Sequence, residues 1–188
     1  MSRVMTVTFC LGLLPLASCD GLFPPIDQQP ELVSLTIQAS VTEVDPVTQL
    51  PRTLSGTITG DFTGTYSETL FDAFFDPEGN IIGASSLSLF TFDPPHAGTL
   101  ASYNFAESVD PILLLDENQQ PVLDQDGNPV VIGLRTAATG SLFNGTGTFA
   151  GVFGDLQTDT ELSFTGGDQE LGRITSSVSM LITETDPN

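Results

Sequence analysis

The chain is predicted to fold as one all-β domain, an antiparallel barrel of about eight strands. Three observations carry that expectation. Short segments alternate apolar and polar residues with a period of two, as strands with one buried face do. Turns rich in Asp, Pro and Gly separate them at regular intervals. No segment carries the 3.6-residue periodicity of a long amphipathic helix. A barrel routinely uses all of a 188-residue chain around one core.

The N-terminus is set apart from that domain. Arg3 precedes a short apolar segment, residues 4–14, followed by Leu16-Ala17-Ser18-Cys19. The segment is too short to span a bilayer as a mature helix and has the form of a secretory signal peptide. Leu three positions before a cysteine, with small residues between, is the pattern of a bacterial lipobox. Cys19 is therefore the expected lipidation site, whose thiol would carry a diacylglycerol anchor. The alternative is an ordinary signal peptide with an incidental cysteine. The division that follows is residues 1–18 as signal peptide, 19–31 as lipidated N-terminus and tether, and 32–185 as the barrel. Three prolines and no periodicity make residues 20–31 an extended tether. The expected partner is a membrane, reached through the anchor, with the protein exported to the periplasmic or outer side. Asp20 acts as an inner-membrane retention signal in some bacteria, and the choice of membrane stays open.

With Cys10 in the removed segment and Cys19 lipidated, no cysteine is left for a disulfide or a thiol nucleophile. The net charge of −20 includes four arginines and no lysine. Removal of residues 1–18 takes away Arg3 and no acid, which makes the charge more negative still. Such a surface repels phosphate backbones, so nucleic acid is excluded as a partner.

Along the barrel, Leu35, Ile37, Ala39 and Val41 alternate with polar residues, and Asp45-Pro46 ends that strand. Residues 54–66 read as one strand, with Leu54, Ile58, Phe62 and Tyr66 on one face and Gly56, Gly60 and Gly64 between them. Bulky groups spaced by glycine fit the crowded interior of a small barrel. Turns are expected at residues 76–80, 93–98 and at Asp110-Pro111, bounding strands that include residues 87–92 and 100–106. Two related units, residues 116–122 and 124–130, form an excursion from the barrel. A last strand, with Ile174, Ser176, Val178, Met180 and Ile182 in phase, would close the sheet against an early one.

Residues 139–160 hold the most specific pattern. Gly145, Gly147, Gly151 and Gly154 interleave with Phe149 and Phe153, which suits a strand, a tight turn and a second strand. Gly151 is expected to sit where a neighbouring backbone leaves no room for a side chain. The run Gly145-Thr146-Gly147-Thr148-Phe149-Ala150-Gly151-Val152-Phe153-Gly154 resembles the glycine-rich strand of the allene oxide cyclase family and, more loosely, that of dirigent proteins. Both families are small antiparallel barrels. The resemblance implies the same barrel, and it raises the prospect of a cyclase that takes a fatty-acid epoxide or a cavity that steers phenoxy radicals. The catalytic residues of those families match no position here, so no catalytic residue and no cofactor is assigned.

Other motifs carry less. Asp124, Asp126 and Asn128 have the alternate spacing of a calcium loop, but Pro129 stands where that loop needs glycine and Arg135 where it needs glutamate. An Asp-Gly hairpin turn accounts for the same residues. Asn144-Gly145-Thr146 has the form of a glycosylation acceptor and reads better as a turn. The spacing of Gly145, Gly147 and Ala150 lacks the strand–helix context of a dinucleotide site. His96, the single histidine, lies in a turn between Pro95 and Ala97 and not in a catalytic triad. A carboxylate pair such as Asp116 with Glu117 could do acid–base work only if burial raised one pKa.

Three functions remain. The first is a lipid-anchored barrel that binds a small apolar molecule, walled by Leu54, Ile58, Phe62, Tyr66, Phe149 and Phe153, with the Tyr66 phenol orienting a polar end. The second is an envelope protein whose barrel is filled. The third is an isomerase of the cyclase kind.

Overall fold

The computed structural model describes residues 30–48, 50–164 and 172–184. The signal segment, Cys19 and the tether as far as residue 29 lie outside the described residues. Eight strands follow in order: β1 (Glu31–Val44), β2 (Pro51–Gly60), β3 (Gly64–Phe75), β4 (Ile81–Phe92), β5 (Gly98–Leu113), β6 (Val131–Gly147), β7 (Val152–Ser163) and β8 (Arg173–Glu184). Each pairs antiparallel with the next, and β8 pairs with β1, from Glu31 opposite Ile182 to Ser40 opposite Arg173. Closure leaves no sheet edge to template association.

Alternation decides what fills the interior. Val33, Leu35, Ile37, Ala39 and Val41 of β1 are buried, as are Ile174, Ser176, Val178, Met180 and Ile182 of β8. The outer face is polar over much of the barrel, but on β3 to β5 it carries Phe74, Leu87, Leu89, Tyr103 and Phe105, all partly exposed. Phe74 and Phe105 pack there with ring centroids 5.8 Å apart and planes tilted by 54°.

The two ends of the barrel differ. At the end where β1 starts and β8 finishes, Phe62, Phe92 and Phe149 pack together with centroid separations of 4.6 to 5.5 Å. His96 covers Phe62 at 4.9 Å. These rings plug the barrel, and the interior below them is continued by Phe90, Leu100, Leu142 and Leu156. At the opposite end β-bulges interrupt the pairing of β1 after Val41, of β3 after Leu70 and of β5 after Ala106. Bulges bend strands outward at a rim, and this rim stays open.

Several sequence expectations need correction. Residues 54–66 are not one strand: β2 ends at Gly60 and a turn precedes β3 at Gly64. Asp61 holds the break, its backbone N–H bonding to the Ser34 carbonyl at 3.1 Å and its carboxylate accepting the Ser34 N–H at 2.8 Å. Phe62 consequently leaves the wall and joins the plug. Asp110-Pro111 makes no turn; it runs inside β5, with Asp110 opposite Arg135 and Pro111 opposite Leu134. The proline needs only an extended backbone and a position that calls for no N–H donor.

Candidate binding site in the open half of the barrel

Below the aromatic plug the interior becomes polar on one wall and hollow beside it. The polar wall comes from three consecutive strands. Tyr66 and Glu68 project inward from β3, Ser86 and Ser88 from β4, and Ser102 and Asn104 from β5, each pair two residues apart and so on one face. Register stacks them: Glu68 lies opposite Ser88, Ser88 opposite Ser102, and Ser86 opposite Asn104.

Their hydrogen bonds form a directed network. Tyr66 Oη donates to Glu68 Oε2 at 2.7 Å. A phenol has one hydrogen, so the 2.9 Å contact between Tyr66 Oη and Ser88 Oγ is donated by the serine. Ser88 Oγ in turn accepts from Asn104 Nδ2 at 2.8 Å, and Ser86 Oγ accepts from the same amide at 3.3 Å. Asn104 Oδ1 accepts from Ser102. Ser86 also hydrogen-bonds to the Glu68 carboxylate. Every proton is thus handed toward Glu68, by one route through Ser88 and Tyr66 and by another through Ser86.

The cavity beside this wall measures about 120 Å³. Its other sides are largely aliphatic: Leu54, Leu70, Ala84, Ala106, Leu134, Leu162 and Ile174. On the far side, Thr160 and Ser176 hydrogen-bond to each other at 2.8 Å. Glu68 keeps some accessible surface, but that surface faces the cavity, not bulk solvent. Desolvation raises its pKa against the lowering effect of its Ser86 and Tyr66 hydrogen bonds. The Tyr66 phenol is pushed well above its usual value, first by burial and then by the charge of Glu68. Among the described residues, Glu68 and Tyr66 are the only titratable side chains along the cavity, and no cationic residue lines it.

The positions expected to line the barrel divide. Leu54 and Tyr66 border the cavity; Ile58 is buried in the packed half. Phe62 and Phe149 form the plug, at the end remote from the cavity. Phe153, expected inside, is 48% exposed and faces outward, because strand alternation turns the inner positions over to Val152 and Leu156. Gly145, Gly147, Gly151 and Gly154 all fall in the β6–β7 hairpin. Gly151 is exposed in the turn with φ of 80°, a left-handed backbone that itself favours glycine. The glycine that serves the site is Gly140, opposite Asn104: a Cβ there would collide with Asn104 Oδ1 and lie 2.7 Å from Ser102 Oγ.

The remaining candidates stand away from the cavity. Asp124 Oδ1 accepts the backbone N–H groups of Asp126 and Asn128, both at 2.9 Å, and Asp116 Oδ1 does the same for Asn118 and Gln120 at 2.8 and 2.9 Å. Two copies of one Asp-capped turn therefore account for the repeated excursion, and backbone donors lower the pKa of both aspartates. An acid–base role for Asp116 with Glu117 is contradicted by that lowering; the carboxyl raised by burial is Glu68. Among the described residues no cluster of three or more His, Cys, Asp or Glu is placed to hold a metal ion. Arg52 and Arg135 are engaged at the surface by Glu43 and Glu161.

Glu68 carried a usable signal. It follows Tyr66 by two in an alternating strand, which puts a carboxylate on the inner face. Comparison of the chain with protein-family models, with curated proteins and with solved structures finds no match.

Proposed function

We propose that the protein is a lipid-anchored binding module that holds a small, mainly apolar molecule in the open half of its barrel. The observation that carries this is the cavity of about 120 Å³, walled by aliphatic side chains and ending on one hydrogen-bonded polar wall. A few fixed polar groups in an apolar concavity orient a ligand while the walls supply affinity. A cavity of this size matches one that accommodates a benzene ring. The hollow favours a ligand over a wholly filled barrel, for which only the plugged half speaks. Membership of the allene oxide cyclase and dirigent-like barrels belongs to the same proposal, supported by the motif's place on the β6–β7 hairpin of a closed eight-stranded barrel. Export and anchoring rest on the lipobox at Cys19.

The test is extraction of the purified mature chain with organic solvent, followed by mass spectrometry of what is released. A stoichiometric small apolar compound, lost when Ala138→Phe fills the cavity, is the expected result. An empty extract, together with failure of the protein to take up any small aromatic probe, would leave the filled-barrel alternative.

A further inference from the structure

Resting on the reading of the cavity as a ligand site, we propose that its ligand is a small apolar amine, bound as an ammonium ion against Glu68. The polarity of the hydrogen-bond network is what chooses the class. Each protein donor in the wall points toward the Glu68 carboxyl: Tyr66 Oη at 2.7 Å, Ser86, and behind them Ser88 and Asn104. The protein therefore treats Glu68 as an acceptor, and once the carboxyl is ionised the capacity it leaves on the cavity side is acceptor capacity as well. A ligand that matches it must donate.

Charge narrows the choice further. A carboxylate taken out of bulk water needs a compensating cation, and none of the described residues lining the cavity supplies one. Among the described residues the only other titratable group lining the cavity with Glu68 is Tyr66; β2, β4, β5 and β6 contribute Leu54, Ser86, Asn104 and Leu134 to it. The missing positive charge is one that a ligand can bring. The strongly negative protein attracts cations and repels carboxylates, so a fatty acid is the wrong guest. The aliphatic walls then select the body of the amine, and the volume within the barrel suits a portion about the size of one ring. When the ammonium enters, the carboxyl proton leaves to solvent and the pair that remains is neutral overall.

Isothermal titration of the mature chain with benzylamine, benzyl alcohol, acetophenone, toluene and benzoate tests this. Benzylamine should bind at least roughly tenfold more tightly than benzyl alcohol or toluene, the increment of a hydrogen bond to a charged group. Benzoate should not bind. E68Q should remove the advantage of benzylamine over toluene. In wild type, benzylamine affinity should fall as the pH drops through the raised pKa of Glu68, and heats in buffers of different ionisation enthalpy should report proton release. Toluene should show neither effect. If toluene or acetophenone binds as tightly as benzylamine, the amine inference is overturned and the cavity stands as a ligand site. If no probe binds, the cavity proposal and the inference fall together.

Discussion

Glu68 sets the pH behaviour expected of the fold. Among the described residues its carboxyl is the only one whose pKa is raised, with burial the leading cause, so the folded state holds the proton more tightly than the unfolded chain does. Stability from this proton is complete below the ordinary glutamate value of 4.5 and is lost as pH rises through the folded value. The slope in that window is at most about 1.4 kcal/mol per pH unit. Glu68→Gln lacks the titration, so urea melts of variant and wild type should diverge from roughly pH 5 upward, with the variant gaining. Parallel curves would mean that Glu68 is solvated like a surface acid. Asp45, Asp76, Asp116 and Asp124 act in the opposite sense, since hydrogen bonds lower their pKa and their contribution disappears as pH falls. Variant and wild type share those four, and the difference between them isolates Glu68.

At the scale of the element, the polar wall is a product of register. Three strands each place two inner polar residues in neighbouring registers, Glu68 beside Ser88 and Ser102 and Ser86 beside Asn104, and β6 answers with Gly140 where any side chain would strike Asn104. Gly140→Ala should therefore break the bond from Ser102 to Asn104 or push β6 outward, with the Tyr103 carbonyl, 2.8 Å from the new Cβ, limiting escape. A loss of about 1–3 kcal/mol in chemical denaturation is expected, the range for a buried polar group deprived of its partner. The alternation of β1 and β8 was legible because it is unbroken from end to end. The β2–β3 hairpin was not, since Phe62 continues the spacing of Leu54 and Ile58 through a turn that depends on Asp61 reaching Ser34, a contact 27 residues away. Asp110-Pro111 misled for a related reason, as β5 is held past the proline by β6 and not by its own sequence. Within the site, Tyr66 could be picked out as a phenol on an inner face. Ser86, Ser88, Ser102 and Asn104 look like the outward polar half of any strand until register is known. Their phase with Phe90, Phe92 and Leu100 was the available clue.

For the whole molecule the anchor makes a sharp expectation. Cys19→Ser should move the protein from the membrane to the soluble fraction with an unchanged melting curve, because the barrel begins only at Glu31. Retention of the variant in the membrane fraction would count against lipidation there.

The chain enters the barrel at Glu31, beside Ile182 near the end of β8, and both lie at the plugged end. The mouth, rimmed by Leu50, Ile81 and Val109, lies at the other. With the anchor proposed at Cys19, a chain that enters the barrel at its sealed end would leave the opening directed toward the aqueous compartment. Guests would then arrive by diffusion through water, and exchange would be governed by their solubility there rather than by partition out of the lipid phase.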